Sequence, residues 1–260
     1  MMQAMDPRLI AALLDWQAEL GADEFIGDEG QDRFSEHSAA SAPVVAKPIA
    51  QPVAPATLGV DPVAEARMLA ARAGSLEMLA DLQSAYPHCE LRKGARNFVF
   101  ADGRPGARVM LLGEAPGDDE DRQGKPFVGR AGQMLDRMLA TIGLDRAAPD
   151  LDRAVYITNM LPWRPPGNRD PEPAELAMML PFVRRHIELA APRVLVLVGN
   201  HACQAILGQR GITKLRGQWT EAMGLPVLPM LHPAYLLRNA HAKRDAWADL
   251  LTLQDRLESP

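Results

Sequence analysis

The sequence predicts a three-layer αβα fold built around a central sheet of four parallel strands. Four short apolar runs have the composition of strands buried on both faces of a sheet. They lie near 108–113, 154–158, 193–198 and 227–231. Segments with helical periodicity alternate with these runs, near 131–143, 173–190, 200–208 and 242–257. This alternation is typical of a parallel sheet with helices on both faces.

Two further elements are predicted ahead of the first of these strands. Residues 62–85 should be helical, with a break before Ser75, whose side chain is suited to cap the second half. The apolar residues 98–100 predict a short strand, and the Ala-Asp-Gly sequence at 101–103 predicts a turn.

Composition divides the chain of 260 residues into three regions. Residues 1–37 combine an amphipathic helix with an acidic segment, and both a solvated tail and a docking helix for another protein fit this pattern. Residues 38–61 are rich in Ala and Pro and predict a flexible linker. Residues 62–260 are expected to form one globular domain.

The acidic charge is concentrated in the N-terminal part of the chain. Residues 1–85 hold 5 Lys and Arg against 13 Asp and Glu, whereas residues 86–260 hold 23 against 20. The net charge of the second part is therefore +3, which is compatible with DNA binding through a local patch.

No apolar run approaches the roughly 18 residues that a membrane helix needs, and the N-terminus has no basic start or cleavage site typical of a secretion signal. We therefore expect a cytoplasmic protein without membrane contact. The two cysteines, Cys89 and Cys203, are too few for a disulfide framework.

The loops that follow the four predicted strands should meet at one edge of the sheet, where ligands of open α/β sheets bind. These loops contain residues 114–127, Asn159, residues 199–202 and His232. The first loop matches neither the dinucleotide fingerprint nor the phosphate-binding P-loop, so a different kind of ligand is expected.

Three stretches carry a more specific signal: GEAPGDDEDRQGKPFVGRAG at 113–132, TNMLPWRPPGNRDP at 158–171 and LHPAYLLR at 231–238. Together they resemble the signatures of the family 4 uracil-DNA glycosylases, a group that usually carries an iron–sulfur cluster. The resemblance implies a uracil-DNA-glycosylase-like fold. It also implies a monofunctional enzyme of base-excision repair, which flips uracil out of DNA and hydrolyses its N-glycosidic bond to leave an abasic site.

The resemblance gives roles to three pocket residues. Phe127 would stack on the base, and the amide of Asn159 would pair with uracil O4 and N3–H. His232 would stabilise the negative charge that develops on uracil O2. A core phenylalanine and a turn-capping asparagine are the structural alternatives for the first two.

The first signature adds four residues. Glu114 would act near the attacking water, organise the loop or steady the cationic sugar. Ala115 stands where the wider superfamily has its water-orienting aspartate, and Gly117 belongs to the same substrate-binding loop. Glu120 would crowd C5 of the base and thereby exclude thymine.

Base flipping leaves a gap in the duplex that apolar side chains commonly fill. The candidate wedge residues are Tyr235, Leu236 and Leu237, and Arg238 follows them as a phosphate contact. Further phosphate candidates stand at a helix start and in a basic loop; they are Asn200, His201, Lys214 and Arg216.

The resemblance also assigns four cysteine ligands to an iron–sulfur cluster. Cys89 is the only one of these positions that holds a cysteine, and the other three hold Tyr86, Trp163 and Met179. The sequence therefore predicts that the chain has no cofactor and that the three bulky side chains pack together in its place.

Two other functions fit the sequence. One is a non-catalytic protein that binds uracil-containing DNA, and the other is a repair adaptor whose residues 1–37 bind a protein partner. The joint presence of Glu114, Phe127, Asn159 and His232 favours an enzyme over a binder. A monomer is expected for an enzyme that tracks along DNA.

Overall fold

The computed structural model describes residues 61–258. The amphipathic helix, the acidic segment and all but the last residue of the Ala/Pro-rich linker lie outside the described residues. None of the helices within 61–258 is long and apolar enough to cross a membrane.

The described chain alternates short strands with helices. The strands are β1 (Ala101–Gly103), β2 (Val109–Gly113), β3 (Val155–Asn159), β4 (Val194–Val198), β5 (Thr220–Ala222) and β6 (Leu225–Met230). The α-helices are α1 (Pro62–Arg72), α2 (Leu76–Ala85), α3 (Leu91–Gly94), α4 (Asp118–Gln123), α5 (Arg130–Ala140), α6 (Pro173–Ala190), α7 (Asn200–Leu207), α8 (Ile212–Leu215), α9 (Pro233–Arg238) and α10 (Lys243–Glu258).

The six strands form one mixed sheet in the order β1-β3-β2-β4-β6-β5. Strands β3, β2, β4 and β6 are parallel, which confirms the predicted four-stranded core. The two edge strands, β1 and β5, are antiparallel to their neighbours. Strand β5 was not predicted, and β1 occupies residues 101–103, where a turn was expected. The strand predicted at 98–100 is thus displaced by three residues, because pairing with β3 starts only at Ala101.

Alternate residues of the parallel strands point to opposite faces of the sheet, and each face has its own apolar cluster. Val109 and Leu111 pack on one face with side chains of α5 and α10. Met110 and Leu112 pack on the other face with side chains of α6 and α7. The three-layer prediction is therefore confirmed.

A third buried cluster joins α1 and α2 to α6. Helix α2 begins where the sequence predicts, because the Ser75 hydroxyl accepts a hydrogen bond from the Met78 amide at 3.2 Å. The guanidinium of Arg185 on α6 donates two hydrogen bonds to the Ala73 carbonyl, just beyond the end of α1. These contacts fix the N-terminal helices of the described chain to the central layer.

A buried histidine links α6 to the sheet. The Nε2 atom of His186 lies 2.9 Å from the Tyr156 hydroxyl, and its ring stacks on Phe100 with centroids 4.2 Å apart. Burial disfavours the charged imidazolium and lowers the pKa of His186 to about 3. The folded protein therefore holds this histidine neutral under conditions where the unfolded chain protonates it.

The free energy of unfolding should fall as the pH drops from about 6.5 towards 3, because only the unfolded state then gains the proton at position 186. Between pH 7 and pH 5, wild type should lose about 2 kcal/mol more than His186→Gln. Urea unfolding at both pH values measures the difference. The control replaces the exposed His241 with Gln, and equal losses in wild type and His186→Gln would contradict the prediction.

Candidate functional site

A cavity of about 330 Å³ lies at the carboxyl ends of the parallel strands. Glu114 follows β2, Asn159 ends β3 and His232 follows β6, so the topology brings these side chains to one edge. All seven predicted catalytic and substrate-binding residues line this cavity; they are Glu114, Ala115, Gly117, Glu120, Phe127, Asn159 and His232.

The floor of the cavity depends on Gly113, the last residue of β2. A Cβ atom there would lie 2.4 Å from Oδ1 of Asn159 and 2.5 Å from the ring of Phe127. Both distances are too short for a real Cβ, so only glycine lets the amide and the ring meet over the strand end. From the sequence, Gly113 is predicted as the end of a strand and the start of the first signature, without this steric role.

The Asn159 side chain is 5% exposed, and its Oδ1 atom has no hydrogen-bond partner within residues 61–258. A buried carbonyl oxygen without a partner costs about 1–3 kcal/mol. Such an atom in a cavity wall is suited to accept a hydrogen bond from a ligand that brings its own N–H group.

Phe127 is held in an unusual backbone conformation, with φ of +53°. The guanidinium of Arg146 donates hydrogen bonds of 2.9 Å to the carbonyls of both Pro126 and Phe127. Gly132 allows the helix behind to come close, because a Cβ at that position would lie 1.8 Å from the Phe127 carbonyl oxygen. Sequence reasoning missed Arg146, which lies 19 residues from Phe127 and in no recognised motif.

Glu120 holds the same loop from its other side. One carboxylate oxygen accepts 2.8 Å hydrogen bonds from the amides of Val128 and Gly129, and the other accepts a 3.1 Å bond from the amide of Gly117. The carboxylate thus joins the start of α4 to the segment that carries Phe127. In this structure its oxygens are directed to backbone N–H groups.

His232 is partly buried beside Phe127, with ring centroids 5.6 Å apart. Its Nδ1 atom accepts a hydrogen bond from the Ala234 amide at 3.2 Å, so the proton of the neutral ring is on Nε2. Burial, with a smaller contribution from the charge of Arg238, lowers the pKa of His232 to about 4. The imidazole is therefore a neutral hydrogen-bond donor at physiological pH.

Glu114 is paired with a second histidine. Its Oε2 atom lies 2.6 Å from Nδ1 of His201, and Nε2 of His201 lies 3.1 Å from a guanidinium nitrogen of Arg210. The sequence predicted His201 as a phosphate contact. In the structure the ring is buried, and both of its nitrogens lie within hydrogen-bond distance of protein side chains. These surroundings do not fit the predicted phosphate contact.

The three predicted wedge residues lie on helix α9 and do not all face the same way. Tyr235 and Leu237 are 37% and 38% exposed, whereas Leu236 is completely buried in the apolar core. The prediction of Leu236 as a wedge residue is therefore wrong, because its side chain faces inward. Arg238 is exposed and lines the cavity together with Ala234.

The remaining phosphate candidates differ in their surroundings. Lys214 is exposed on α8, whereas the guanidinium of Arg216 is bound to the carboxylate of Asp249 and the carbonyl of Asp245. Arg216 therefore joins the loop to α10, which does not fit the predicted phosphate contact. The Asn200 side chain accepts hydrogen bonds from the amides of residues 211 and 212.

Comparison with known proteins agrees with this geometry. The family model of the Uracil DNA glycosylase superfamily matches residues 100–251. A Type-4 uracil-DNA glycosylase of Sulfurisphaera tokodaii is 35% identical over 196 residues, which cover 72% of this chain and 86% of the relative. The chain belongs to the uracil-DNA glycosylase superfamily.

Two further relatives in the superfamily support the resemblance that the motifs indicated. The Type-4 uracil-DNA glycosylase of Archaeoglobus fulgidus is 38% identical over 170 residues, 62% of this chain and 82% of the relative. That of Thermotoga maritima is 36% identical over 167 residues, 63% of this chain and 84% of the relative. The resemblance to the family 4 enzymes is confirmed.

These comparisons correct the prediction about the cofactor. The three positions without cysteine predict none, but the relatives are Type-4 enzymes, which are the iron–sulfur cluster family of the superfamily. Membership therefore implies the cluster, and the expectation of no cofactor is contradicted.

The residues at the ligand positions do not fit the four-thiolate form of that cluster. Tyr86, Trp163 and Met179 lie with Cys89 in one buried apolar cluster. Burial raises the pKa of the Cys89 thiol to about 11, whereas a cluster ligand is a thiolate.

Replacing Glu120 with Gln should loosen the loop that carries Phe127. An amide has one accepting oxygen in place of two, so at least one of the three backbone N–H groups loses its partner. Hydrogen exchange should accelerate by about tenfold or more for at least one of the amides of Gly117, Val128 and Gly129. The control is Asp119→Asn on the same helix, which should leave all three amides protected, and unchanged protection of all three in Glu120→Gln would contradict the prediction.

Proposed function

We propose that this chain is a monofunctional uracil-DNA glycosylase of DNA repair. It accepts a uracil that is flipped out of DNA, hydrolyses the N-glycosidic bond and leaves an abasic site. One observation carries the proposal. A buried amide whose oxygen has no partner among residues 61–258, an aromatic ring and a neutral imidazole face one cavity, in a chain whose relatives are Type-4 uracil-DNA glycosylases.

The proposed base recognition follows from Asn159 and Phe127. The free Oδ1 atom of Asn159 would accept from uracil N3–H, and its amide group would donate to O4. Cytosine presents the opposite pattern, with an acceptor at N3 and a donor at C4, so the same amide disfavours it. The Phe127 ring would stack on the base from its fixed position over Gly113.

The proposed catalytic donor is Nε2–H of His232. As the glycosidic bond breaks, negative charge develops on uracil O2, and a donor fixed in a partly buried site stabilises that charge without reorganisation. The hydrogen bond from the Ala234 amide to Nδ1 keeps the ring in the donating tautomer. The imidazole can therefore act without first taking up a proton.

Glu114 would act on the deoxyribose side of the N-glycosidic bond. It lines both the base cavity and a neighbouring cavity of about 550 Å³, which also contacts Tyr235 and Arg238. We place the deoxyribose at this border, where the carboxylate would orient the attacking water or steady the cationic sugar. Tyr235 and Leu237 would fill the gap in the duplex, and Arg238 would contact phosphate.

Glu120 would contribute to the exclusion of thymine by fixing the loop around the base. The exposed Lys214 would contact phosphate. Asn200 would hold residues 211 and 212, which lie just before Lys214, through its side-chain oxygen. The expectations of a monomer, a cytoplasmic location and a protein partner for residues 1–37 stay predictions.

Replacing Asn159 with Leu, which has a similar shape, should separate stability from activity. Single-turnover excision from an oligonucleotide with one uracil should fall by about 100-fold or more, since the site loses the amide proposed to pair with the base edge. The melting temperature should not fall, because the replacement removes a buried acceptor that has no partner in the described part of the chain. Binding to uracil-free DNA should be unchanged, and a fully active variant would refute the proposed recognition.

The wild-type assay also tests the alternative function. Tight binding to uracil-containing DNA without release of uracil would favour the non-catalytic binder.

Replacing His232 with Ala should lower the excision rate by about 100- to 1,000-fold. The pH profile gives a second test. Because the pKa of His232 is lowered to about 4, the neutral donor persists as the pH falls from 8 to 5.5 and is lost only nearer 4. The ratio of wild-type to variant kcat/KM should be constant over that range. A decline of this ratio centred near pH 6.5 would show that His232 titrates as an ordinary histidine.

A further inference from the structure

We propose that His201 is a positioning residue, which holds the Glu114 carboxylate in the orientation required for glycosidic bond cleavage. Arg210 in turn fixes the histidine. This inference rests on the proposed glycosylase activity and assigns to His201 a role different from the phosphate contact that the sequence indicated.

The local fold places His201 next to Glu114. Strand β4 ends at Val198, and Gly199, with φ of +95°, turns the chain directly into α7. His201 therefore lies in the first turn of α7, 7% exposed, and faces the residue that follows β2. Strands β2 and β4 are neighbours in the sheet, so the pairing of the two side chains is a consequence of the parallel register.

The hydrogen bonds determine which nitrogen of His201 carries the proton. A guanidinium only donates, so Arg210, at 3.1 Å from Nε2, requires that nitrogen to accept. The ring proton is then on Nδ1, where it is donated to Oε2 of Glu114 at 2.6 Å. The carboxylate of Asp170 also faces Nε2, but at 4.0 Å it is beyond hydrogen-bond distance.

The consequence concerns the other carboxylate oxygen. Within residues 61–258, the hydrogen bond from His201 is the one that holds the Glu114 side chain, and it uses Oε2. Oε1 is left to act at the border of the two cavities that Glu114 lines. A reacting group displaced by about 1 Å can lose about 100-fold in rate, so the orientation supplied by His201 affects catalysis directly.

This role differs from a phosphate contact in what it predicts. Loss of a phosphate contact weakens DNA binding and makes affinity less sensitive to salt. Loss of a positioning contact lowers the rate of the bound complex and leaves affinity unchanged.

The test compares two replacements of nearly equal shape. In His201→Asn, the amide nitrogen can take the place of Nδ1 and still donate to Glu114, whereas His201→Leu has no donor. Single-turnover uracil excision at saturating enzyme should fall by about 100-fold in His201→Leu, and His201→Asn should recover most of that loss. Affinity for a duplex with 2′-fluoro-deoxyuridine, whose glycosidic bond resists cleavage, should change by less than about twofold in both.

A double-mutant cycle with Glu114→Gln shows whether His201 acts through Glu114. If it does, Glu114→Gln combined with His201→Leu should be no slower than Glu114→Gln alone. The inference would be overturned if the rate losses of Glu114→Gln and His201→Leu multiply in the double variant. It would also be overturned if His201→Asn and His201→Leu lose equal rate, or if they lose DNA affinity while the rate is unchanged.

Arg210→Ala keeps the test valid if replacement of the buried histidine disturbs folding. Arg210 is exposed, and its loss should lower the single-turnover rate by about tenfold, because His201 then holds Glu114 less firmly. The matched control is Arg184→Ala on α6, an exposed cation away from the cavity, which should keep the wild-type rate. Absence of excision by wild type would instead refute the proposed function and this role with it.

Discussion

The absence of a side chain at Gly113 is the constraint on which the cavity depends. Strand β2 ends at this residue, and the amide of Asn159 and the ring of Phe127 meet above its backbone, in space that a Cβ would occupy. Elsewhere the central strands are covered by close-packed side chains. Close packing against the strand end therefore fixes the positions of the amide and the ring, and the cavity wall that they form is as well defined as the core around it.

The loop that carries Phe127 is held by two side chains of opposite charge. The carboxylate of Glu120 accepts from backbone N–H groups on one side of Phe127, and the guanidinium of Arg146 donates to backbone carbonyls on the other. A positive φ at a bulky residue is unfavourable unless its surroundings enforce it. The aromatic wall is thus in place before any ligand arrives, which lowers the cost of binding.

The sequence could predict those parts of the molecule that depend on local patterns. Apolar runs revealed the parallel strands, and the rule that strand ends meet at one edge placed Glu114, Asn159 and His232 together. Strands β1 and β5 have only three residues each, too few to show a pattern. The environments of Leu236 and Arg216 depend on helix α10, about ten to thirty residues further along the chain, and no local signal reports such partners.

Burial of Leu236 has a mechanical consequence for helix α9. A helix of six residues has little stability of its own, so Tyr235 and Leu237 keep their outward direction because the side chain between them is locked against α5 and α10. Any force on the exposed pair is passed to the interior of the protein. The stiffness of this outer tip is therefore set by the core beneath it, and a softened core would let the tip yield under load.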